Sequence, residues 1–229
     1  MLKINKLKIS SPQKQLVDIS FDIEDSMALI GESGSGKSLT LKALLNLLPS
    51  TLKVDKDINS SFELNYDTIG FIPQNPFTSL SMMTKIKDQF FCTIEKKEEV
   101  LKLVDLDISL LNKFPSQLSG GQIQRIVIAI ALSRNIKLLL LDEPTTALDE
   151  ENKTNIINLI NDLKNRLNIL ILFVTHDIDS IKDICNEIII LKEGQIIEKG
   201  FTKDILAMPN EEYTKRLINS TFKNKQFRK

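Results

Sequence analysis

The segment Gly31-Glu-Ser-Gly-Ser-Gly-Lys37-Ser38 constrains the fold of this chain more than any other, because it fits the pattern GxxxxGK[ST] of a phosphate-binding loop. Glycines in such a loop let the backbone curl, so that successive N–H groups point inward at phosphate oxygens. The apolar stretch 27–30 before the loop predicts a strand. The run 39–48 after it predicts a helix, whose N-terminus adds about half a positive charge. We therefore expect Lys37 to reach the β- and γ-phosphates of a nucleotide and Ser38 to ligate Mg²⁺.

Three short apolar runs, 138–141, 169–174 and 188–191, do not alternate with polar residues. Such runs are typical of strands buried on both faces, as in a parallel sheet covered by helices. Helical periodicity places the apolar residues of 121–134, and those of 151–167, on one face each. Strands and helices in alternation predict an α/β fold, here a P-loop NTPase core with a mostly parallel sheet.

Two other regions have a different pattern. The stretches LKINKLKI and QLVDISFDI, within the first 30 residues, alternate with period two and predict an N-terminal antiparallel β-subdomain. Residues 79–114 carry no strong strand signal, and 96–106 predicts a helix, so we expect an inserted helical subdomain there. The predicted organisation is one domain over 1–229, with a core of 1–78 and 115–220, a helical subdomain of 79–114 and a basic tail of 221–229.

Composition excludes several classes of function. Thirty Lys and Arg cancel thirty Asp and Glu, so nucleic-acid binding through overall positive charge is not indicated. The longest apolar run, 126–132, is far shorter than the roughly 18 residues that a membrane helix needs. The N-terminus has no apolar block typical of a signal peptide. A single histidine and two scattered cysteines give no metal-ion site of the transition-metal type.

Two carboxylates, Asp142 and Glu143, directly follow the buried strand predicted at 138–141. Ligands of open α/β sheets bind at the carboxyl ends of the strands, so these residues are candidates for the catalytic site. We expect Asp142 to hold Mg²⁺ through water and Glu143 to act as the base that polarises the attacking water. The alternative is that Asp-Glu-Pro simply begins a loop.

The stretch 118–122, LSGGQ, indicates a second anion site, because small residues open a helix whose N–H groups and Ser119 hydroxyl face outward. An ordinary helix start is the alternative. The stretch resembles the signature of the ATP-binding cassette (ABC) family, and it precedes Asp142 as that family requires. The resemblance implies a head-to-tail dimer in which each ATP lies between one subunit's phosphate loop and the other's signature.

Three further elements resemble the family's motifs in the family's order, and the likeness covers essentially 1–220. Gln74 in FIPQNP matches the glutamine that senses Mg²⁺ and the γ-phosphate, Asp149 in ALD matches an aspartate at the dimer seam, and His176 matches the switch histidine. A lone histidine is otherwise usually a neutral structural side chain. The nucleotide contacts that the resemblance implies are Gly31, Ser33, Gly34, Ser35, Gly36, Lys37, Ser38, Leu39, Ser119, Gly120, Gly121, Gln122 and Asp149.

The residues within these motifs resemble those of one branch of the family, the peptide and nickel importers. The stretches that carry this resemblance are GESGSGKSLT, QNPFTSL, FPSQLSGGQIQR and DEPTTALD. The segment Leu47-Leu-Pro49 is most like the first ATPase subunit of nickel-type importers. This implies a second ATPase subunit, identical or different, two membrane permease subunits contacted near 74–83, and indirectly a solute-binding protein. It also implies a peripheral position at the cytoplasmic face of the cell membrane, and no nucleic acid.

Two departures from the family pattern remain. Residues 8–15 contain no aromatic side chain to stack on adenine, so selectivity for the base is less secure than phosphate binding. The chain also ends in KNKQFRK, where many peptide importers have an extension with a cysteine cluster. Alternatives to an importer are an exporter or lipoprotein-releasing ATPase, and an ABC ATPase that moves no solute.

Overall fold

The computed structural model describes residues 1–146 and 148–226. These form two compact units, one of Met1–Leu64 with the chain from Leu170 onward, the other of Asn65–Ile169. The strands are β1 (Leu2–Ser10), β2 (Gln15–Ile23), β3 (Ser26–Ile30), β4 (Lys53–Ser60), β5 (Ile69–Ile72), β6 (Leu138–Asp142), β7 (Leu170–Thr175), β8 (Glu187–Lys192) and β9 (Gln195–Phe201). The helices are α1 (Lys37–Leu44), α2 (Ile94–Leu103), α3 (Gly120–Leu132), α4 (Glu150–Leu167), α5 (Thr202–Ala207) and α6 (Glu212–Gln226).

The first unit contains an antiparallel sheet of order β2-β1-β4. Leu2 and Ile4 of β1 are fully buried, and so are Leu7 and Ile9 beyond a register shift between Ile4 and Leu7, so the predicted period of two holds on each side of that shift. β4 was not predicted, because KVDKDINS has only two apolar residues; in the structure it is exposed along most of its length. Its charges instead suit an edge strand, where they discourage pairing with another chain.

The same unit contains a second, mixed group of strands around β3. β3 is parallel to both β7 and β8, and β8 pairs antiparallel with β9. Every residue of β3 and of β7 is buried, as the unalternating apolar runs predict.

In the second unit, β5 lies parallel to β6, and α3 contacts β5, α2 and α4. The predicted α4 stripe is buried at Ile156, Ile160 and Leu163, but Leu167 is 38% exposed. Leu167 is the last residue of α4, and Asn168 leaves the helix in the left-handed conformation. The buried part of the stripe therefore ends at Leu163, because the helix ends at Leu167.

Residues 79–114 consist of α2 and single helical turns, with no strand in this fully described stretch. α2 begins two residues before the predicted 96–106, because the Thr93 side chain caps it by accepting the Lys96 N–H. The division into core, insert and tail stays a prediction. Residues 221–226 of the predicted basic tail continue α6, and 227–229 lie outside the described residues. Among the described residues, no helix is long and apolar enough to cross a membrane.

Candidate functional site

The phosphate loop connects β3 to α1 and needs backbone conformations that favour glycine. Gly34 and Gly36 have φ angles of 82° and 109°, in the left-handed region. α1 begins at Lys37, earlier than the predicted 39–48, and ends at Leu44. Lys37 and Ser38 therefore lie in the first turn of the helix, where backbone N–H groups have no partner within the helix.

Two polar side chains of the phosphate loop, those of Lys37 and Ser35, are buried. Lys37 is 7% exposed, and its Nζ donates to the carbonyl oxygens of Gly31 at 2.7 Å and Glu32 at 2.9 Å. The Ser35 Oγ is buried, and the described part of the chain offers it no hydrogen-bond partner. A buried hydroxyl without a partner is costly unless a ligand or water satisfies it, so the loop has the chemistry of an anion site.

The turn between β8 and β9 braces this loop. The Gly194 N–H donates to the Ser35 carbonyl at 2.9 Å, while the Gly194 carbonyl accepts from the Asp18 N–H at 2.8 Å. The turn therefore ties the phosphate loop to β2. Our sequence reasoning missed Gly194, although Glu193-Gly194 between two apolar runs is a signal for a tight hairpin turn.

We expect Gly194→Ala to lower the free energy of unfolding by more than about 2 kcal/mol. Gly194 has φ 77°, and a β-carbon there would lie 2.0 Å from the Leu16 carbonyl oxygen, a backbone atom that cannot move away alone. Gly34→Ala is the matched control, because Gly34 has a similar φ of 82° but no described atom within 4 Å of its β-carbon position. Urea unfolding without nucleotide measures both, and equal losses would contradict the role of the clash.

His176 follows β7 in the same unit, and its side chain is exposed. The neighbouring Asp177 accepts hydrogen bonds from the Asp179 N–H at 3.1 Å and the Ser180 hydroxyl at 2.7 Å. Asp177 thereby caps the next helical turn, which fixes the backbone on one side of His176. The other side is fixed by β7, so His176 stands at the strand end that the sequence predicts.

In the second unit, the structure brings Gln74 and Glu143 together. Gln74 follows β5 and Glu143 follows β6, and the two strands are parallel neighbours. The Gln74 Nε2 donates to the Glu143 Oε2 at 3.2 Å, and the Thr146 hydroxyl donates to the same oxygen at 3.2 Å. Glu143 has φ 48°, unusual for a side chain of this size and often seen at functional positions. Thr146 is a site residue that the motifs did not reveal.

The signature forms the first turn of α3, with Ser119 as its N-cap. The Ser119 Oγ accepts from the Gln122 N–H at 3.2 Å, and the Gln122 Oε1 accepts from the Ser119 N–H at 3.0 Å. This reciprocal capping box corrects one expectation, because the Gln122 N–H is satisfied rather than bare. Gly120 remains open, with no described atom within 4 Å of its β-carbon position.

Asp149 is the N-cap of α4, and Asn152 of that helix lies between Asp149 and Gly121 of the signature. The Asn152 backbone N–H and Nδ2 donate to the two Asp149 oxygens at 2.9 and 2.8 Å, and these bonds hold the pKa of Asp149 below its ordinary value. The Asn152 Oδ1 would lie 2.9 Å from a β-carbon at Gly121. Asn152 was not predicted, although an Asp followed three residues later by Asn is a recognisable helix start. Only glycine at position 121 leaves room for it.

The remaining predicted residues are divided between the two units of the structure. Asp142 is half-buried at the end of β6, and Leu39 follows Ser38 in α1. Ser33 lies exposed in the phosphate loop. The phosphate loop and His176 belong to the first unit, whereas Gln74, the signature and the acidic strand end belong to the second.

Comparisons with known proteins identify the family of this chain. Residues 16–146 match the family model described as ABC transporter. The oligopeptide transport ATP-binding protein AppD of Bacillus subtilis is 33% identical over 255 residues, covering 96% of this chain and 78% of AppD. The methionine import ATP-binding protein MetN of Lactobacillus acidophilus is 32% identical, covering 96% of this chain and 71% of MetN.

The fold is also similar to a solved structure, the ATP-binding cassette MJ0796 in a dimeric post-hydrolysis state bound to ADP and Pi. The TM-score is 0.72 at 25% sequence identity, over 88% of this chain and 99% of that one. The predicted fold class, with its antiparallel β-subdomain and mostly parallel strands, is thereby confirmed. The family match, the relatives and the shared fold agree with the motifs, and the chain belongs to the ABC transporter family.

Proposed function

We propose that this chain hydrolyses ATP at the interface of a head-to-tail ATPase dimer and couples that reaction to solute import through partner membrane subunits. The observation that carries the proposal is the carboxylate of Glu143, held at the end of β6 by the amide of Gln74 and the hydroxyl of Thr146. A cassette that only bound ATP would not need a base in this position. All the motif residues that hydrolysis requires are present in the sequence.

The triphosphate is proposed to bind the phosphate loop. The space that a β-carbon of Gly34 would face is open, and the Ser35 hydroxyl lacks a described partner. The Lys37 ammonium already lies against the loop carbonyls. The start of α1 adds partial positive charge at the same place. On binding, the Lys37 ammonium would donate to phosphate oxygens while it stays beside the loop carbonyls, and this contact would be charge-assisted.

Mg²⁺ is proposed to be held by Ser38, Asp142 and Gln74. These residues offer hydroxyl, carboxylate and amide oxygens, the ligand type that Mg²⁺ prefers. Gln74 directs its amide nitrogen toward Glu143, which leaves the amide oxygen for a cation. Bound Mg²⁺ would neutralise charge on the β- and γ-phosphates.

Glu143 is proposed to accept the proton of the attacking water. The donors Gln74 and Thr146 help to fix the orientation of the carboxylate, which suits a base that must face the attacking water. His176, at the end of β7, is proposed to position that water against the γ-phosphate. Both residues follow buried strands, whose rigidity suits a site that must hold reacting atoms in place.

The signature of a second subunit is proposed to complete each site. Ser119 and Gly121 of one subunit would contact the γ-phosphate held by the other, and the open space at Gly120 supports close approach of an anion. Asp149 would lie at the seam between subunits. Asn152 is bonded to the Asp149 carboxylate and lies against Gly121 of the signature turn, so both would respond together when the dimer closes.

Several large apolar side chains that follow Gln74 in the chain are exposed, and they support a membrane partner. Phe77 and Met82 are each 41% exposed, and Met83 and Phe91 are each 89% exposed. Large apolar side chains that are exposed and contiguous often mark sites of protein contact. We propose that residues of this segment contact a permease subunit and place the ATPase at the cytoplasmic face of the membrane.

Peptide is the solute we propose. The relatives are named as oligopeptide and methionine transport proteins, whereas nickel, which the sequence resemblance also allowed, has no support from their names. Exporters and ABC ATPases that move no solute are less favoured for the same reason. Neighbouring genes for two permeases, a solute-binding protein and a second ATPase would support the importer, and their absence would count against it.

We expect the specific ATPase activity of the isolated chain to rise steeply with protein concentration. A site shared between two subunits exists only in the dimer, so dilution removes activity faster than it removes protein. Phosphate release is measured over a dilution series at saturating Mg-ATP. Glu143→Gln serves as the inactive control, and a flat specific activity across the series would contradict the shared site.

A further inference from the structure

Tyr213, near the start of helix α6, forms a hydrogen bond with the phosphate loop. The Oη of Tyr213 accepts a hydrogen bond from the Glu32 backbone N–H at 3.2 Å, across 181 residues of sequence. The Tyr213 ring is half-buried, and the Nζ of Lys192 lies 5.2 Å from its centroid, within the range of a cation–π contact. None of the motifs of the sequence includes this tyrosine.

Glu32 is the residue through which this contact reaches the phosphate-binding groups. Its carbonyl oxygen accepts from the Lys37 Nζ at 2.9 Å and from the Ser35 N–H at 3.2 Å. The N–H of Glu32 is thus held by Tyr213, while its carbonyl holds the lysine of the loop. The Gly31 carbonyl, which shares a peptide group with the Glu32 N–H, also accepts from the Lys37 Nζ at 2.7 Å, so the same peptide group contacts both Tyr213 of α6 and the Lys37 ammonium.

The start of α6 is itself firmly anchored. Glu198 of β9 is 8% exposed and accepts hydrogen bonds from the backbone N–H groups of Asn210 at 2.9 Å and Glu211 at 3.3 Å. The next residue after Tyr213, Thr214, is fully buried, and Leu217 is buried one turn later. These contacts fix the place from which the phenol reaches the loop.

We propose that Tyr213 is a positioning residue for nucleotide binding, which holds the Glu32 peptide and through it the loop and Lys37 in the conformation that accepts phosphate. This inference rests on the proposed function of the loop. Glu32, Ser33 and Gly34 are exposed, so without this anchor ATP would have to order them on binding and would bind more weakly. Burial raises the pKa of the Tyr213 phenol, which keeps it protonated at neutral pH.

The test compares Tyr213→Phe with wild type. Phenylalanine keeps the ring and its packing and removes only the hydroxyl oxygen that accepts the Glu32 N–H. We expect the Kd of a fluorescent ATP analogue with Mg²⁺ to rise by about 3- to 10-fold, the usual effect of one lost hydrogen bond. Tyr66→Phe is the matched control, because the only other tyrosine of the chain is 69% exposed and lies in the second unit.

A second readout separates positioning from packing. Amide hydrogen exchange at Glu32 in the nucleotide-free protein should be faster in Tyr213→Phe than in wild type or Tyr66→Phe, while the thermal unfolding midpoint stays nearly unchanged. If Tyr213→Phe changes neither the Kd of the analogue nor the exchange rate at Glu32, the inference is overturned. The proposed function still stands in that case, provided that wild type binds the analogue and Lys37→Ala does not. Failure of wild type itself to bind would instead overturn the proposed function, and the inference with it.

Discussion

Replacement of Glu143 by Gln is expected to lower the turnover of ATP by about 10²- to 10⁴-fold while ATP affinity is preserved. Glutamine has nearly the same shape, and its amide oxygen can still accept from Gln74 and Thr146, whose contacts with Glu143 are 3.2 Å each. It cannot take the proton of the attacking water. The chemical step is therefore blocked after the nucleotide has bound.

The measurement combines phosphate release with size-exclusion chromatography in Mg-ATP, where the variant should accumulate as a closed dimer. Glu151→Gln is the control, since Glu151 is an exposed carboxylate in the first turn of α4 and makes the same change of charge. Normal turnover in Glu143→Gln would show that another group acts as the base.

Replacement of Lys37 by Ala is expected to weaken ATP binding by at least about 30-fold, because a buried charged partner of the phosphates is lost. Lys37 is 7% exposed, so water cannot easily replace its ammonium. The substitution also removes the donor to the carbonyls of Gly31 and Glu32, which loosens the loop itself.

Equilibrium binding of a fluorescent ATP analogue measures this loss directly. Lys42→Ala is the matched control, because Lys42 lies on the exposed side of the same helix, α1, and its removal changes the net charge equally. Comparable weakening by both substitutions would mean that general electrostatic attraction, rather than contact with Lys37, holds the phosphates.

Much of the architecture could be predicted because the signals are local. The unalternating runs of β3, β7 and β8 and the alternation in β1 each report burial directly. The sequence pattern indicates less where burial does not follow it. It did not indicate the strand β4, whose polar residues suit an exposed edge, or the exposure of Leu167, where the helix ends.

In the candidate site, too, some features were predictable from the sequence and others were not. The sequence by itself determined the identity of the phosphate loop, the acidic strand end and the signature, since each is a contiguous motif whose chemistry depends on neighbouring residues. Only the tertiary structure decided which distant side chains serve them. Gln74 meets Glu143 across 69 residues and Tyr213 meets Glu32 across 181, because parallel strands and a returning helix bring them together. Such contacts leave no periodicity in the chain, so the contact of Tyr213 with the phosphate loop emerges only from the fold. Gly194 and Asn152 each carry a local turn or helix-start signal, but only the fold shows that they lie beside the phosphate loop and the signature.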